Sequence, residues 1–402
     1  MAFKKGMALA LSAALVFGVL AGCASKTEQT GASTSSGSDG KVIKIVTQSP
    51  LSGGSATQGE AIKLGAQLQI EEQKEAFKKL GFELQLVPYD DQADPKKGVA
   101  NAQLVGADKA VLGVVGHMNS GVAIPSSEVY EKNNLVMVSP TNTATEVTDR
   151  KLKSVNRICA RDDFQGPAGA EYAVQTLKAK NIFVIDDKTA YGTGLATAFK
   201  KAAEKLGAQI AGYESITVGE KDFNGVLNKV LAKKPDLIYF GGLYAEGGLL
   251  LKQAREKGIT IPFMGGDGLD SGTLVEIAGT AAKNTFYTSI AADPAKTEKG
   301  KKFIEDYKKK FNKEVEGYSA YGYDAAGVVL QGIKDAIAAN DNKLPTREQV
   351  RDAVRSIQNY EGAVTKVGFD EKGDNKFSKI YIYKLNESKY PGTQEGEVSN
   401  TK

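Results

Sequence analysis

An α/β fold built as two similar halves is what this 402-residue sequence predicts, and three observations carry the prediction. Short apolar runs alternate with segments of helical periodicity from Lys41 onward. The same alternation recurs in the second half, with no short-period repeat. The apolar runs end in clusters of small and polar residues, as strands of an open α/β sheet do on their ligand-binding side. A β-α-β-α order argues for parallel sheets covered by helices on both faces. Two comparable units argue for two lobes rather than one long sheet.

The elements follow in chain order. VIKIV (Val42 to Val46) is a short β-branched strand. The segment from Gln58 to Gly81 places Ala61, Leu64, Gly65 and Leu68 on one helical face. Phe82, Leu84 and Leu86 alternate as a strand does, and VLGVV and LVMV are two further strands. IFVI (Ile182 to Ile185) precedes a helix with Leu195, Ala198, Phe199, Ala202 and Leu206 on one side. Phe223, Val226, Leu227, Val230 and Leu231 mark another helix, and LIYF (Leu237 to Phe240) follows it.

Six strand ends carry the chemistry. VIKIV runs into TQSPLSGGSATQG, VLGVV into GHMNSG, LVMV into SPTNTAT, IFVI into DDKTAYGTG, LIYF into GGLYAEGG and IPFM into GGDGLDSG. Hydroxyls, amides, acids and glycines dominate, with very few Lys, Arg or His. Helices starting soon afterwards direct free backbone N–H groups at the same space. Such a set holds a small polar molecule, a zwitterion for example, and lacks the groups for bond breaking.

Composition narrows the class further. Hydrophobic residues are 41% and charged residues 25%, an ordinary globular mix. The formal charge of +4 falls to +2 when the first 22 residues, with Lys4 and Lys5, are removed. A balance so near zero gives no reason to expect nucleic acid as partner. At the N-terminus, MAFKK is followed by a short apolar run and then LAGC, Leu20 to Cys23. Charge, apolar length, small residues and cysteine fall in the order of a lipoprotein signal, 1–22, with Cys23 the lipidated residue. A plain secretory signal with a chance cysteine is the bland alternative. Acylation would hold the protein on a membrane face. Residues 23–40, rich in Ser, Thr and Gly, read as a flexible tether. Cys159 is the other cysteine. It leaves no disulfide within the mature chain and reads as a small buried residue.

Catalysis has little to stand on. His117 is the only histidine. GYSAYG misses the final glycine of a nucleophile elbow, GTGLAT departs from a dinucleotide fingerprint, and no P-loop is present. One His and one lone Cys make a poor start for zinc. Asp90 and Asp91 in YDDQADP could pair, but an acidic loop before a helix is usually a cap or turn. A surface hydrolase built on His117 or a carboxylate pair, and a structural or adhesive lipoprotein, are the readings left behind. Lys308 to Lys310 read as a solvated helix face.

Taken together, PLSGGSATQGEAIKLGAQL, YDDQADPKKGVANAQ, VGHMNS, VMVSPTNTATEVT, FQGPAGAEY, DDKTAYGTGLA, GEKDFNGVLNKV, YFGGLYAEGG, FMGGDG, YSAYGYDAA and FDEKGD run in one order from Lys41 to Lys384. In that order and spacing the chain resembles the substrate-binding lipoproteins of bacterial ABC importers, type I periplasmic-binding-protein fold, branched-chain amino-acid branch. The resemblance implies two α/β lobes, each a parallel-sheet sandwich, joined by three crossovers at a hinge. The first would take 41–161 and 290–367, and the second 162–289 and 368–402.

By the same resemblance Ser120 and Thr143, with nearby backbone N–H groups, would hydrogen-bond the α-carboxylate of an amino acid. The Thr141 carbonyl, Thr143 and Asp267 would take its α-ammonium. Asp267 stands where the family often has the longer Glu. Without the resemblance, GGDG is simply turn sequence. Tyr191 would cover the ligand. Tyr318, Met118, Asn119, Gln58 and Leu243 would line the side-chain pocket. Gln58 and Leu243 replace common aromatics. Asn119 and Ala93 stand at the two cysteines of an occasional family disulfide. A polar group left unpaired against an aliphatic ligand costs about 1–3 kcal/mol, so Gln58 and Asn119 weigh against a purely aliphatic pocket.

The expectation is therefore a monomeric, non-enzymatic amino-acid receptor without metal or cofactor. It would deliver its ligand to an ABC permease and ATPase from the outer face of the cell membrane or the periplasm. The long tether and lysine-rich, near-neutral chain suit a Gram-positive cell. The same fold binding a short amide, urea or aromatic acid is the alternative.

Overall fold

The computed structural model describes residues 41–386 and 389–399. The signal segment, the tether and Cys23 lie outside the described residues. Fourteen strands are described: β1 (Lys41–Ser49), β2 (Phe82–Asp90), β3 (Val111–Gly116), β4 (Val136–Ser139), β5 (Val155–Arg157), β6 (Asn181–Asp186), β7 (Gln209–Ser215), β8 (Leu237–Gly241), β9 (Phe263–Gly265), β10 (Thr285–Ser289), β11 (Tyr360–Glu361), β12 (Lys366–Val367), β13 (Lys379–Leu385) and β14 (Thr393–Ser399). The described α-helices are α1 (Ala56–Lys79), α2 (Pro95–Ala107), α3 (Ser120–Lys132), α4 (Glu146–Asp149), α5 (Asp162–Glu171), α6 (Ala190–Lys205), α7 (Asn224–Lys233), α8 (Tyr244–Glu256), α9 (Gly272–Ala278), α10 (Glu298–Phe311), α11 (Ser319–Ala339) and α12 (Arg347–Arg355).

Two main sheets divide the strands. The first has the order β2-β1-β3-β4-β5 and is parallel throughout. The second has the order β14-β13-β10-β9-β8-β6-β7. Its β7-to-β10 portion is parallel, but β13 runs antiparallel to β10 and β14 antiparallel to β13. The second lobe is thus a mixed sheet, not the purely parallel one expected. The chain leaves this sheet at the carboxyl end of β10 and returns to it at the same end, so β13 must run the other way. A short hairpin then reverses β14 again.

The chain passes between the sheets three times: after β5, after β10 and before β13. Between the last two passages, α11 and α12 pack on the first lobe, α11 against α1 and both against β3 and β4. Gly65 is what lets α1 and α11 meet. A Cβ there would lie 1.9 Å from the Ser319 carbonyl oxygen.

Local chemistry starts the helices where the sequence indicates. Pro95 occupies the first turn of α2, and the Asp94 carboxylate caps it, accepting from Lys96 N–H at 2.7 Å and Lys97 N–H at 3.1 Å. Asp90 accepts from the N–H groups of Leu51 and Gln92, so the acidic loop is a cap and turn. Thr189 caps α6 through Gly192 N–H. The expected apolar faces are buried or half-buried, except at their carboxyl ends. Leu206, just past α6, and Leu231, in the last turn of α7, are exposed, because the sheet no longer covers those turns. Among the described residues no helix is long and apolar enough to cross a membrane.

Candidate functional site

A cavity of about 330 Å³ lies where the carboxyl ends of the two sheets face each other. Its wall takes Ser55 from the loop after β1, and Met118, Asn119 and Ser120 from the turn after β3. Thr141 follows β4, Lys188 to Tyr191 follow β6, Leu243 follows β8, Asp267 follows β9, and Tyr318 precedes α11. All six polar strand ends converge on it. Larger hollows of about 700 and 780 Å³ contain none of the residues singled out from the sequence.

The first-lobe wall is made of backbone held by short side chains. Ser139 Oγ accepts from Thr141 N–H at 3.3 Å and Asn142 N–H at 2.9 Å, which tightens the turn after β4. Thr141 Oγ1 and Asn142 Nδ2 both donate to the Met118 carbonyl, at 3.2 and 2.7 Å, tying this turn to the one after β3. Ser120 Oγ accepts from Ala144 N–H at 3.3 Å, which leaves its own proton to donate. Among the described residues, the N–H groups of Ser120, Gly121 and Thr143 have no hydrogen-bond acceptor. The Thr143 hydroxyl is buried with no close hydrogen bond and faces the Asp162 carboxyl. Thr143 itself sits just behind the wall.

The second-lobe wall centres on Asp267, which is 1% exposed. Its Oδ1 accepts from Gln165 Nε2 at 2.7 Å and the Tyr191 hydroxyl at 2.8 Å, and Oδ2 accepts from the Tyr318 hydroxyl at 2.8 Å. Burial raises the Asp267 carboxyl above its ordinary range, and the three donors pull against that rise. A carboxylate has about four lone-pair sites, so one remains open on Oδ2. Tyr191 also accepts from Gly268 N–H at 2.9 Å. Close by, Asp162 is fully buried with both oxygens unpaired. Burial, then the Asp267 charge, pushes it well above the usual carboxylate range.

Gln165 and Asp162 were not among the residues expected in the site. Their signal was the RDDFQG stretch, Arg161 to Gly166. Acids at the start of a helix read as ordinary first-turn residues, and α5 begins there.

Gln58 is not on the cavity wall. Its Nε2 donates to the Asp270 carbonyl at 3.2 Å, with the Gly268 carbonyl 3.5 Å away. It is a bridge between the lobes, because closure brings those carbonyls over α1. Thr57 bridges as well, through its N–H to the Tyr244 hydroxyl at 3.2 Å and its hydroxyl to that of Thr273 at 3.1 Å. The remaining wall is mostly apolar, with Met118, Leu243 and Val218, while the buried Asn119 Oδ1 has no partner.

His117 is off the wall and fully buried. Its Nδ1 lies 3.1 Å from Asp91 Oδ2 and its Nε2 3.2 Å from the Tyr130 hydroxyl. Both ring nitrogens are engaged in the fold. Cys159 is a free buried cysteine whose thiol is pushed up by burial, the opposite of what a nucleophile needs. Among the described residues no group of three or more His, Cys, Asp or Glu is placed to hold a metal ion. A wall of neutral donors facing a buried carboxylate suits a molecule with one anionic and one cationic end.

Comparison with known proteins shows the family and the fold. The family model for periplasmic binding proteins matches residues 42–391. The leucine-, isoleucine-, valine-, threonine- and alanine-binding protein of Pseudomonas aeruginosa is 35% identical, over 85% of this chain and 89% of that one. The crystal structure of a leucine-binding protein, LivK, from Thermotoga maritima superposes with a TM-score of 0.81 at 30% identity, covering 89% of this chain and 98% of that one. The branched-chain amino-acid transporter binding protein LivJ of Streptococcus pneumoniae, in complex with isoleucine, gives 0.79 at 25% identity, covering 89% and 99%.

Proposed function

The chain belongs to the periplasmic-binding-protein family, and from that premise we propose that it is the extracytoplasmic ligand-binding component of an amino-acid ABC transporter. It captures a branched-chain amino acid between two closing lobes and releases it to the permease and its ATPase. The observation that carries this reading is the single cavity with free N–H and hydroxyl donors on one wall and Asp267 on the other. The α-carboxylate lies against Ser120, Gly121 and Thr143. The α-ammonium lies against Asp267, the Thr141 carbonyl and the Thr143 hydroxyl. Tyr191 covers the ligand, and Met118, Leu243 and Val218 receive an aliphatic side chain. Gln58, off the cavity wall and with its Nε2 bonded across the cleft, does not face such a side chain.

The lobes divide at 41–161 with 290–367 and 162–289 with 368–402, in keeping with the membership of the two sheets. Cys23 carries the lipid anchor, and the protein acts as a monomer. Because a ligand shifts an equilibrium only by its differential affinity, contacts to both walls at once favour the closed state.

Calorimetry on the mature domain, unfolded and refolded to strip carried ligand, tests the reading. Leucine, isoleucine and valine are titrated first, then the other amino acids, then small amides and aromatic acids. Tight binding of a branched-chain amino acid is the expected result. Silence across all amino acids overturns it and brings forward an amide or aromatic acid on the same fold.

A further inference from the structure

Among the described residues, the cavity wall holds no buried cation for a carboxylate. Lys188, the basic residue on its wall, is exposed and donates to Thr217 Oγ1 at 3.1 Å. A buried guanidinium stands one peptide unit behind the donors instead. Arg157, at the end of β5, is fully buried. Its Nη1 donates to the Asn142 carbonyl at 2.7 Å and the Ala144 carbonyl at 2.9 Å. Its Nε donates to Asp374 Oδ1 at 2.5 Å, and its Nη2 to the Thr148 hydroxyl.

The Asn142 carbonyl and the Thr143 N–H belong to the same peptide unit. In a trans peptide the two point in opposite directions. With the oxygen drawn to Arg157, the Thr143 N–H, which has no acceptor among the described residues, is turned away from Arg157. A cation on the oxygen also polarises the N–H, as linked hydrogen bonds do. We propose that Arg157 is the positioning residue for the carboxylate end of the cavity, aiming and polarising the Thr143 N–H through the Asn142–Thr143 peptide. This rests on the reading that an α-carboxylate binds there.

The neutralising partner of Arg157 is placed to leave part of its charge in play. Asp374 is shared, its Oδ2 accepting from Arg161 Nη1 at 3.0 Å. It arrives from the last passage between the lobes, where Gly373 has φ +91° and a Cβ would lie 2.3 Å from the Val155 carbonyl oxygen. The Gly373 carbonyl accepts from Arg157 N–H at 2.9 Å. The residue that aims the carboxylate donors is therefore bolted to a hinge segment.

The test compares L-leucine with L-leucinamide by calorimetry at about pH 6, where both carry an ammonium. Arg157→Met is expected to weaken leucine about tenfold more than leucinamide, and Arg157→Lys to recover part of that difference. Asp374→Asn keeps the guanidinium and removes its anion, so the leucine-to-leucinamide ratio rises or holds. A merely structural ion pair would lower affinity for both probes alike, so an unchanged ratio in Arg157→Met overturns the proposal, as does a fall in the ratio in Asp374→Asn. The Thr143 amide resonance of the ligand-free protein is read alongside. Arg157→Lys is expected to move it upfield, and an unmoved resonance also overturns the proposal. Should the wild type bind no amino acid, the functional reading fails by itself and the resonance still judges Arg157.

Discussion

The two walls of the cleft reach polarity by opposite routes. The first-lobe wall offers main-chain N–H groups and hydroxyls, each held by a web of bonds from Ser139, Thr141, Asn142 and Ser120. Its precision comes from loop geometry, with the buried Arg157 set behind the donors rather than facing the cavity. The second-lobe wall offers one buried carboxylate, Asp267, surrounded by Gln165, Tyr191 and Tyr318. Its precision comes from desolvating a charge and then giving it donors. A buried neutral donor left without an acceptor costs far less than a buried charge left without partners. A buried acid persists only with partners. The comparison teaches that each wall alone is an incomplete site.

The largest break is at the charged wall. Asp267→Ala leaves an ammonium buried without its anion, and affinity for L-leucine is expected to fall about 100-fold or more. Thermal stability should change much less, since water can enter the vacated space and meet the three donors. Calorimetry beside a melting curve reads both, and wild-type affinity in the variant removes the ammonium assignment.

A smaller break sharpens the other wall. Thr143→Val deletes a buried hydroxyl that makes no close hydrogen bond and lies toward the Asp162 carboxyl. Affinity is expected to fall about three- to tenfold, while stability holds or rises by up to about 1 kcal/mol. Lower stability with unchanged affinity would show that the hydroxyl serves the fold and not the ligand.

The finest test separates Asp267 from its neighbour Asp270, three residues on. Burial lifts Asp270 to about 6, against the donors Ser289 and Tyr390. The folded chain therefore keeps a proton that the unfolded chain releases above its ordinary 3.8. The stability linked to that proton is complete below 3.8 and lost as pH rises through about 6. Asp270→Asn should flatten that part of the melting-temperature profile and leave leucine affinity at neutral pH near wild type. An unchanged slope would mean that Asp270 titrates alike in both states.

Much of this was legible before any coordinates. The polar strand ends marked the stretches that line the cavity, Ser120 among them, because the carboxyl ends of parallel strands face one way; Thr141, Asp267 and Tyr191 were singled out within them only by the family resemblance. The acidic loop YDDQADP was legible as a cap or turn, though not that Asp94 is the residue that caps. Gln58 escaped, because its bonds to Gly268 and Asp270 exist only when one lobe lies over the other. Gln165 and Asp162 escaped because a first helical turn of acids and amides looks the same whether it faces water or a buried carboxylate. The antiparallel β13 and β14 depended on which end of the second sheet the returning chain meets.

By itself, the sequence determined the α/β alternation, the strand ends that carry polar atoms, and the poverty of catalytic groups around a single histidine. Those properties are local, set by periodicity, turn chemistry and composition. Only the tertiary structure decided which polar atoms are left without partners, that His117 is spent on Asp91 and Tyr130, and that Arg157 reaches the loop around Thr143. Those properties depend on burial and on contacts between segments far apart in the chain, and neither exists until the lobes have folded and closed.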